Sequence, residues 1–185
     1  MPVLSLPDPR VHTSFLAAMA EFAVEGRGTP ADHTMVGAEI RQFGGDWADP
    51  AAFAAYVRWL RDQALEESPR PPTHVPSTTY WWVDGSEYLG RIAIRHRLTP
   101  SLREIGGHIG YDVRPSGRRH GHATAMLRAA LPVAHDLGID PALITCQTQN
   151  IGSRRVIELN GGIIDSDRGG VLRFWVPTIV PTASA

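Results

Sequence analysis

One stretch constrains the fold more than any other: Gly110-Tyr111-Asp112-Val113-Arg114-Pro115-Ser116-Gly117-Arg118-Arg119-His120-Gly121-His122-Ala123-Thr124. The run from Ile105 to Val113 reads as a strand. Pro115-Ser116-Gly117 interrupts it, and beyond that Ala123, Met126, Leu127, Ala130, Leu131 and Ala134 recur at helical spacing. The order is strand, short glycine-containing loop, helix. The first N–H groups of a helix have no internal partners and lie at the positive end of its dipole, so such a loop suits a small anion such as a pyrophosphate. Gly121 and the small Ala123 permit close backbone approach, and Arg114, Arg118, Arg119, His120 and His122 would make a locally positive mouth.

Composition says that any such anion is bound locally. The 18 cationic side chains balance 19 acidic ones, for a formal charge of -1, so no global field holds nucleic acid or an anionic membrane. All of the cations are Arg, because the chain contains no Lys. Hydrophobic residues at 43% and charged residues at 20% are ordinary globular usage, and 185 residues fit one domain with an appended segment. The single cysteine, Cys146, excludes an internal disulfide and a thiolate metal site. The apolar start Val3 to Leu6 is cut by Pro7 and Asp8, and no run reaches the roughly 20 apolar residues of a membrane helix. These features predict a cytoplasmic protein with no nucleic-acid or membrane partner.

Elsewhere, Phe15, Met19 and Phe22 mark a helix over Val11 to Val24, and Asp49-Pro50 opens a second whose stripe is Phe53, Val57, Leu60 and Ala64. Between them, Ala31 to Trp47 has no clear period. Thr78 to Val83 and Tyr88 to Ile94 form a predicted hairpin about Asp84-Gly85-Ser86. Pro132 predicts a bend or local break late in the helix that follows the loop. Ala142 to Gln147 reads as a buried strand and Ile151 to Leu159 as a short helix. Ile163 to Ile164 with Val171 to Val176 reads as a closing pair around Asp167-Arg168-Gly169-Gly170. The expected organisation is an N-terminal helical segment over 1–77 that shapes the acceptor side of the domain, a cofactor-binding core over 78–180 and a tail over 181–185.

The loop Arg118-Arg119-His120-Gly121-His122-Ala123 resembles the (Q/R)-x-x-G-x-(G/A) signature of the GNAT superfamily, the Gcn5-related N-acetyltransferases. Six residues alone are a weak pattern. Their place between a strand and an amphipathic helix strengthens it, and Thr145 to Gly162 (T-C-Q-T-Q-N-I-G-S-R-R-V-I-E-L-N-G-G) looks like the family's second half-site. The resemblance covers about Tyr80 to Val176. It implies an α/β (α+β) fold whose mixed central sheet is splayed between its fourth and fifth core strands and flanked by helices. The implied co-substrate is acetyl-CoA, with no metal. The backbone of Tyr111, Asp112 and Val113 would pair with the pantetheine arm, and the amides of Arg118, Arg119, His120, Gly121, His122, Ala123 and Thr124 would hold the pyrophosphate. Asn150 and Ser153 match positions that contact the cofactor arm, and both also suit simple helix capping. The two roles can coexist.

The implied reaction is direct transfer of an acetyl group from the thioester to a neutral primary amine of a small molecule. A peptide or protein amine is the alternative acceptor, and a non-catalytic acyl-CoA-binding or sensing module the alternative function. A backbone N–H near Val113 would polarise the thioester. Glu104 or His108, at the start of the expected strand, would be the base; each also reads as a structural residue, one solvated at a strand edge and the other satisfied in the core. Many family members carry Tyr seven residues after the Asn, where this chain has Ile157, so either another group protonates the thiolate, with Tyr111 the nearest candidate in sequence, or the thiolate leaves with water or substrate assistance. Cys146 reads as a small hydrophobe and His120-Gly121-His122 lacks a further ligand for a metal. Trp81 and Trp82, with Tyr80 and Tyr88, are candidates to line the acceptor pocket, although neighbours on a strand face opposite ways. A second copy of the chain is left open as a partner.

Overall fold

The hairpin expected at Asp84-Gly85-Ser86 forms, and the rest of the chain is arranged on its two faces. In the structure, a computed structural model that describes residues 1–179, β2 (Ser77–Asp84) and β3 (Glu87–Arg95) pair antiparallel. The short apolar run near the N-terminus becomes an edge strand, β1 (Val3–Ser5), paired with β2 from Val3 opposite Val83. On the other side β4 (Ile109–Val113) pairs with β3, completing a sheet of order β1-β2-β3-β4. The tail expected at 181–185, and residue 180, lie outside the described residues.

Two expectations about the helices change. The strand expected over Ile105 to Val113 is shorter, because Thr99 and Pro100 start a helix instead: the Leu102 N–H donates to Thr99 Oγ1 at 3.2 Å and Pro100 opens α4 (Pro100–Glu104). Gly106 and Gly107, both at positive φ, then turn the chain into β4. The aperiodic stretch also holds a helix, α2 (Met35–Phe43), capped by Thr34 Oγ1, which accepts from the Gly37 N–H at 3.1 Å. Its buried positions are Val36, Gly37 and Glu39, so a glycine and a carboxylate on the inner face hide the period. α1 (His12–Val24) and α3 (Pro50–Asp62) form close to where they were expected, the latter capped by Asp49.

Each face of the sheet carries its own core. Phe15, Phe22, Phe53, Tyr56 and Leu60 of α1 and α3 pack on Trp81 and Tyr88, with the Phe15 ring centroid 5.4 Å from that of Trp81 and 5.2 Å from that of Tyr88. The opposite face takes Trp82 and is covered by α5 (His122–Asp136) and α6 (Ile151–Leu159) through Met126, Leu127, Leu131 and Ile157. Trp81 and Trp82 thus point oppositely and both serve as core. α5 runs through Pro132 without the expected break. Pro132 and Arg128 are exposed, so the carbonyl deprived of its donor faces water.

The second sheet has the order β5-β7-β6, from β5 (Ala142–Gln147), β6 (Ile163–Arg168) and β7 (Val171–Val176). β6 is longer than expected and takes in Asp167 and Arg168, leaving Gly169-Gly170 as the turn. The two sheets touch where β4 begins: the His108 N–H donates to Leu143 O at 2.7 Å, and the Leu143 N–H to His108 Nδ1 at 2.9 Å. Beyond that point β4 and β5 share no ladder, which is the expected splay. A Cβ on Gly107 would lie 2.3 Å from Leu143 O, so the junction needs a residue without a side chain. Phe15→Ala is expected to lower unfolding free energy by about 3–5 kcal/mol in urea titration, against under about 0.5 kcal/mol for Val24→Ala, since Phe15 is buried and Val24 exposed.

Candidate active site

The splay opens a cleft of about 670 Å³. Tyr111, Asp112 and Val113 of β4 form one wall, and Asn150, Gly152 and Ser153 at the start of α6 form the other. Pairing with β3 decides which backbone groups face it. The Arg95 N–H donates to His108 O at 2.7 Å and the Arg114 N–H to Leu89 O at 3.0 Å. Strict alternation then turns the N–H groups of Tyr111 and Val113 away from β3, toward the gap.

The floor is the loop from Arg118 to Thr124. Arg119 at φ 65 and Gly121 at φ 81 curl the chain through the left-handed region just before α5. The first bond of α5 joins the Ala125 N–H to Gly121 O, and Gly121 has no capping side chain, so the N–H groups of His122, Ala123 and Thr124 have no helical partners. A small anion fits this cradle. All the residues expected to bind the cofactor line the cleft except His120, which is exposed outside it. His122 Nδ1 accepts from Trp82 Nε1 at 3.3 Å.

The mouth is less positive than the residue count implied. The guanidinium of Arg114 is bound by Glu21 and by Tyr88 O, and Glu21 also accepts from the N–H and Oγ of Ser116, at 2.8 and 2.9 Å. Arg118 grips Glu25 bidentately at 2.6 and 2.7 Å. Both arginines therefore tie the loop to α1 and are neutralised there. Arg119 and Arg155, a residue the sequence did not single out, line the cleft with no ion-pair partner among the described residues. Burial pushes the Glu21 carboxyl up, but bonds from Arg114 and Ser116 outweigh it and hold the group below its ordinary value.

Across the gap, Tyr111 reaches α6: its hydroxyl lies 2.8 Å from Ser153 Oγ, and burial keeps it protonated well above the usual phenol range. Asn150 caps α6, its Oδ1 accepting from the Ser153 N–H at 3.0 Å, while it also lines the cleft. Ile157 is fully buried. Burial raises the Cys146 thiol. Asp112 points to the opposite face of β4, beside Arg27 at 3.3 Å, and burial holds its carboxyl above the ordinary value despite Arg27, Arg91 and Arg118.

Neither expected base reaches this cleft. Glu104 ends α4, not a strand, and its carboxylate is taken by Arg173. His108 precedes β4 at the junction, where its ring accepts from the Leu143 N–H, and burial, with Arg103 and Arg95, pushes it down to about 4. A second cavity of about 540 Å³ lies between α2, α3 and the face of β2 and β3. Trp59 lines it, whereas Trp81, Trp82, Tyr80 and Tyr88 do not. Among the described residues, no three His, Cys, Asp or Glu side chains converge as metal ligands, and no helix is long and apolar enough to cross a membrane.

A sequence model of the acetyltransferase (GNAT) domain matches residues 29–163. The chain belongs to the GNAT acetyltransferase family, whose acyl donor is acetyl-CoA. No curated protein matches it in sequence. Among solved structures it is similar to Mycobacterium smegmatis RimJ in complex with CoA-disulfide, at 16% identity and TM-score 0.64, covering 95% of this chain and 81% of that one. It is also similar to the microcin C7 self-immunity acetyltransferase MccE in complex with acetyl-CoA and AMP, at 9% identity and TM-score 0.61, covering 95% and 92%. A third is PaiA N-acetyltransferase from Thermoplasma acidophilum in complex with coenzyme A, at 10% identity and TM-score 0.56, covering 96% and 99%.

The Glu21 network makes a pH prediction. A carboxyl with a depressed folded value contributes stability that is complete above its unfolded value, 4.5, and is lost as pH falls through the lower folded one. The urea midpoint of the native protein is therefore expected to drop more steeply between about pH 5 and 3 than that of Glu21→Gln.

Proposed function

We propose that the protein transfers the acetyl group of acetyl-CoA to the primary amine of a small molecule by direct attack, the amine entering from the face of the sheet opposite the cofactor helices. The observation that carries this reading is the placing of two cavities on neighbouring strands: β4 borders the cofactor cleft, and β3, its partner in the sheet, borders the second cavity. Tyr111, Asp112 and Val113 border the cofactor cleft, and the Asp112 side chain, in register with Arg91, lies on the face of the sheet that carries the second cavity, without lining that cavity. Acetyl-CoA supplies the activated acyl carbon when bound.

The chain's own groups then divide the work. The Val113 N–H, turned into the gap, donates to the thioester oxygen. Asp112 accepts the proton that the amine loses as the C–N bond forms, the role the sequence offered to Glu104 or His108. Its raised carboxyl suits proton uptake better than an ordinary Asp. The Tyr111 hydroxyl donates a proton to the thiolate as the C–S bond breaks, taking the place of the tyrosine that Ile157 replaces. Overall one proton passes from amine to thiol. A peptide or protein amine is the second reading, favoured by the likeness to RimL, which is named as a ribosomal L7/L12 alpha-N-protein acetyltransferase. The second cavity, at about 540 Å³, suits a small molecule.

Thiol release from acetyl-CoA across a panel of amines tests the proposal. Amine-dependent release is expected; binding of acetyl-CoA with no release for any amine or N-terminal peptide would mean a binding module instead. Gly121→Val, which forces a β-branched residue to φ 81, is expected to weaken acetyl-CoA binding by about 10-fold or more in calorimetry. Asp112→Asn is expected to lower kcat by about 10²- to 10⁴-fold while acetyl-CoA affinity changes by less than about 3-fold.

A further inference from the structure

The second cavity carries an unbalanced charge. Arg91, Ala93 and Arg95 alternate along β3, so all three face α2 and line it. Glu39 of α2 is its one acidic lining residue. Glu39 is already engaged, by Arg91 and by the Tyr56 hydroxyl at 2.6 Å. Arg91 is 3% exposed, and its Nε has no hydrogen-bond partner. Arg95 has no carboxylate partner among the described residues: its Nη1 donates to the carbonyls of Gly106 and Gly107, each at 3.1 Å, and its Nη2 approaches Met35 Sδ at 3.4 Å. Two guanidiniums, one buried and one half-buried, thus line a cavity whose acidic side chain pairs with Arg91 and leaves Arg95 without a counter-charge. A largely desolvated cation without a counter-charge is costly, which makes an anion the complement Arg95 lacks in this cavity.

The position of Arg95 gives the anion a place. Its Nη1 lies 3.8 Å from where a Cβ on Gly110 would stand, so its charged end sits over β4 at a residue with no side chain. Gly110 is two residues from Asp112, roughly 7 Å along the strand. We infer that the second cavity is the acceptor site and that Arg95 binds a carboxylate of the acceptor, so that the substrate is an amine that also carries a carboxylate, of amino-acid or dipeptide size. This rests on the transferase reading above. A polyamine or other polycation is excluded by the same charge, since it would meet two guanidiniums in a low-dielectric pocket.

Matched pairs of acceptors test it: glycine, β-alanine, glutamate and glycylglycine, each against its C-terminal amide, with spermidine as polycation and thiol release as readout. The free-acid member of at least one pair is expected to exceed its amide by roughly 10- to 100-fold in kcat/KM, the range of one buried charge-assisted hydrogen bond. The amino-acid and dipeptide arms tell the two sizes apart. Arg95→Gln is expected to erase most of that preference through KM while leaving acetyl-CoA affinity unchanged, and Arg95→Lys to restore part of it. Amides or spermidine used as well as the acids by the native enzyme would overturn the inference, whatever the variants do. If no amine releases thiol, the transferase reading fails separately, and titration with N-acetylglycine and N-acetylglycinamide in the presence of CoA decides the anion site. Preferential binding of the acid upholds it, and equal binding or none overturns it.

Discussion

The structure depends on one junction. β4 and β5 come together at the start of β4, where His108 and Leu143 exchange two hydrogen bonds, one from backbone to backbone and one from backbone to ring, and the Gly106 N–H donates to Thr145 Oγ1. Gly107 makes that approach possible, since a Cβ there would collide with Leu143 O. Were the ladder to continue, the N–H groups of Tyr111 and Val113 would be consumed in pairing, and there would be no cleft. Were the junction absent, the two antiparallel sheets would share only side-chain packing. The wedge-shaped gap follows from holding two sheets together at one end.

Charge in this molecule is used twice, in different ways. Around the anion loop, Arg114 and Arg118 are paired with Glu21 and Glu25 and act as fasteners to α1, with geometry close enough to fix the turn at Pro115-Ser116-Gly117. Backbone amides and the unpaired Arg119 and Arg155 are left to meet a ligand. On the other face, Arg91 is buried against Glu39, and Arg95, half-buried, lines the same cavity with no carboxylate partner among the described residues. A chain that is neutral in sum holds positive charge in two small volumes, one bordered by β4 and one by β3, and in neither is it read from the net value.

What could be read in advance followed physical rules that act locally. The anion loop was legible because glycine, a strand end and a helix start fall in a fixed order, and the residues of that loop other than His120, with Asn150 and Ser153, do gather at the cleft. The hairpin and the helix at Asp49-Pro50 were legible from turn and cap chemistry. α2 was not, because Glu39 sits on its buried face for the sake of Arg91, a partner 52 residues away. Glu104 and His108 were misplaced because the run from Ile105 to Val113 reads as one strand, whereas Thr99-Pro100 starts a helix that turns Glu104 toward Arg173 and β4 begins only at Ile109. Arg91 and Arg95 were passed over although their spacing about Ala93 is that of one strand face. Arginine so placed in an otherwise apolar strand is a signal that sequence reading could have taken.

The grip of α1 on the anion loop also bears on where the working unit begins. The family match starts at residue 29 and stops at residue 163. α1 lies before that span, yet Glu21 and Glu25 hold the stretch from Arg114 to Arg118 that leads into the loop that meets the cofactor. β7, which joins β5 to β6, lies after it. A fragment cut to the recognisable segment would keep the signature residues and lose the posts they are fastened to. The part of a protein that identifies its family and the part that makes its site rigid are here different stretches of chain.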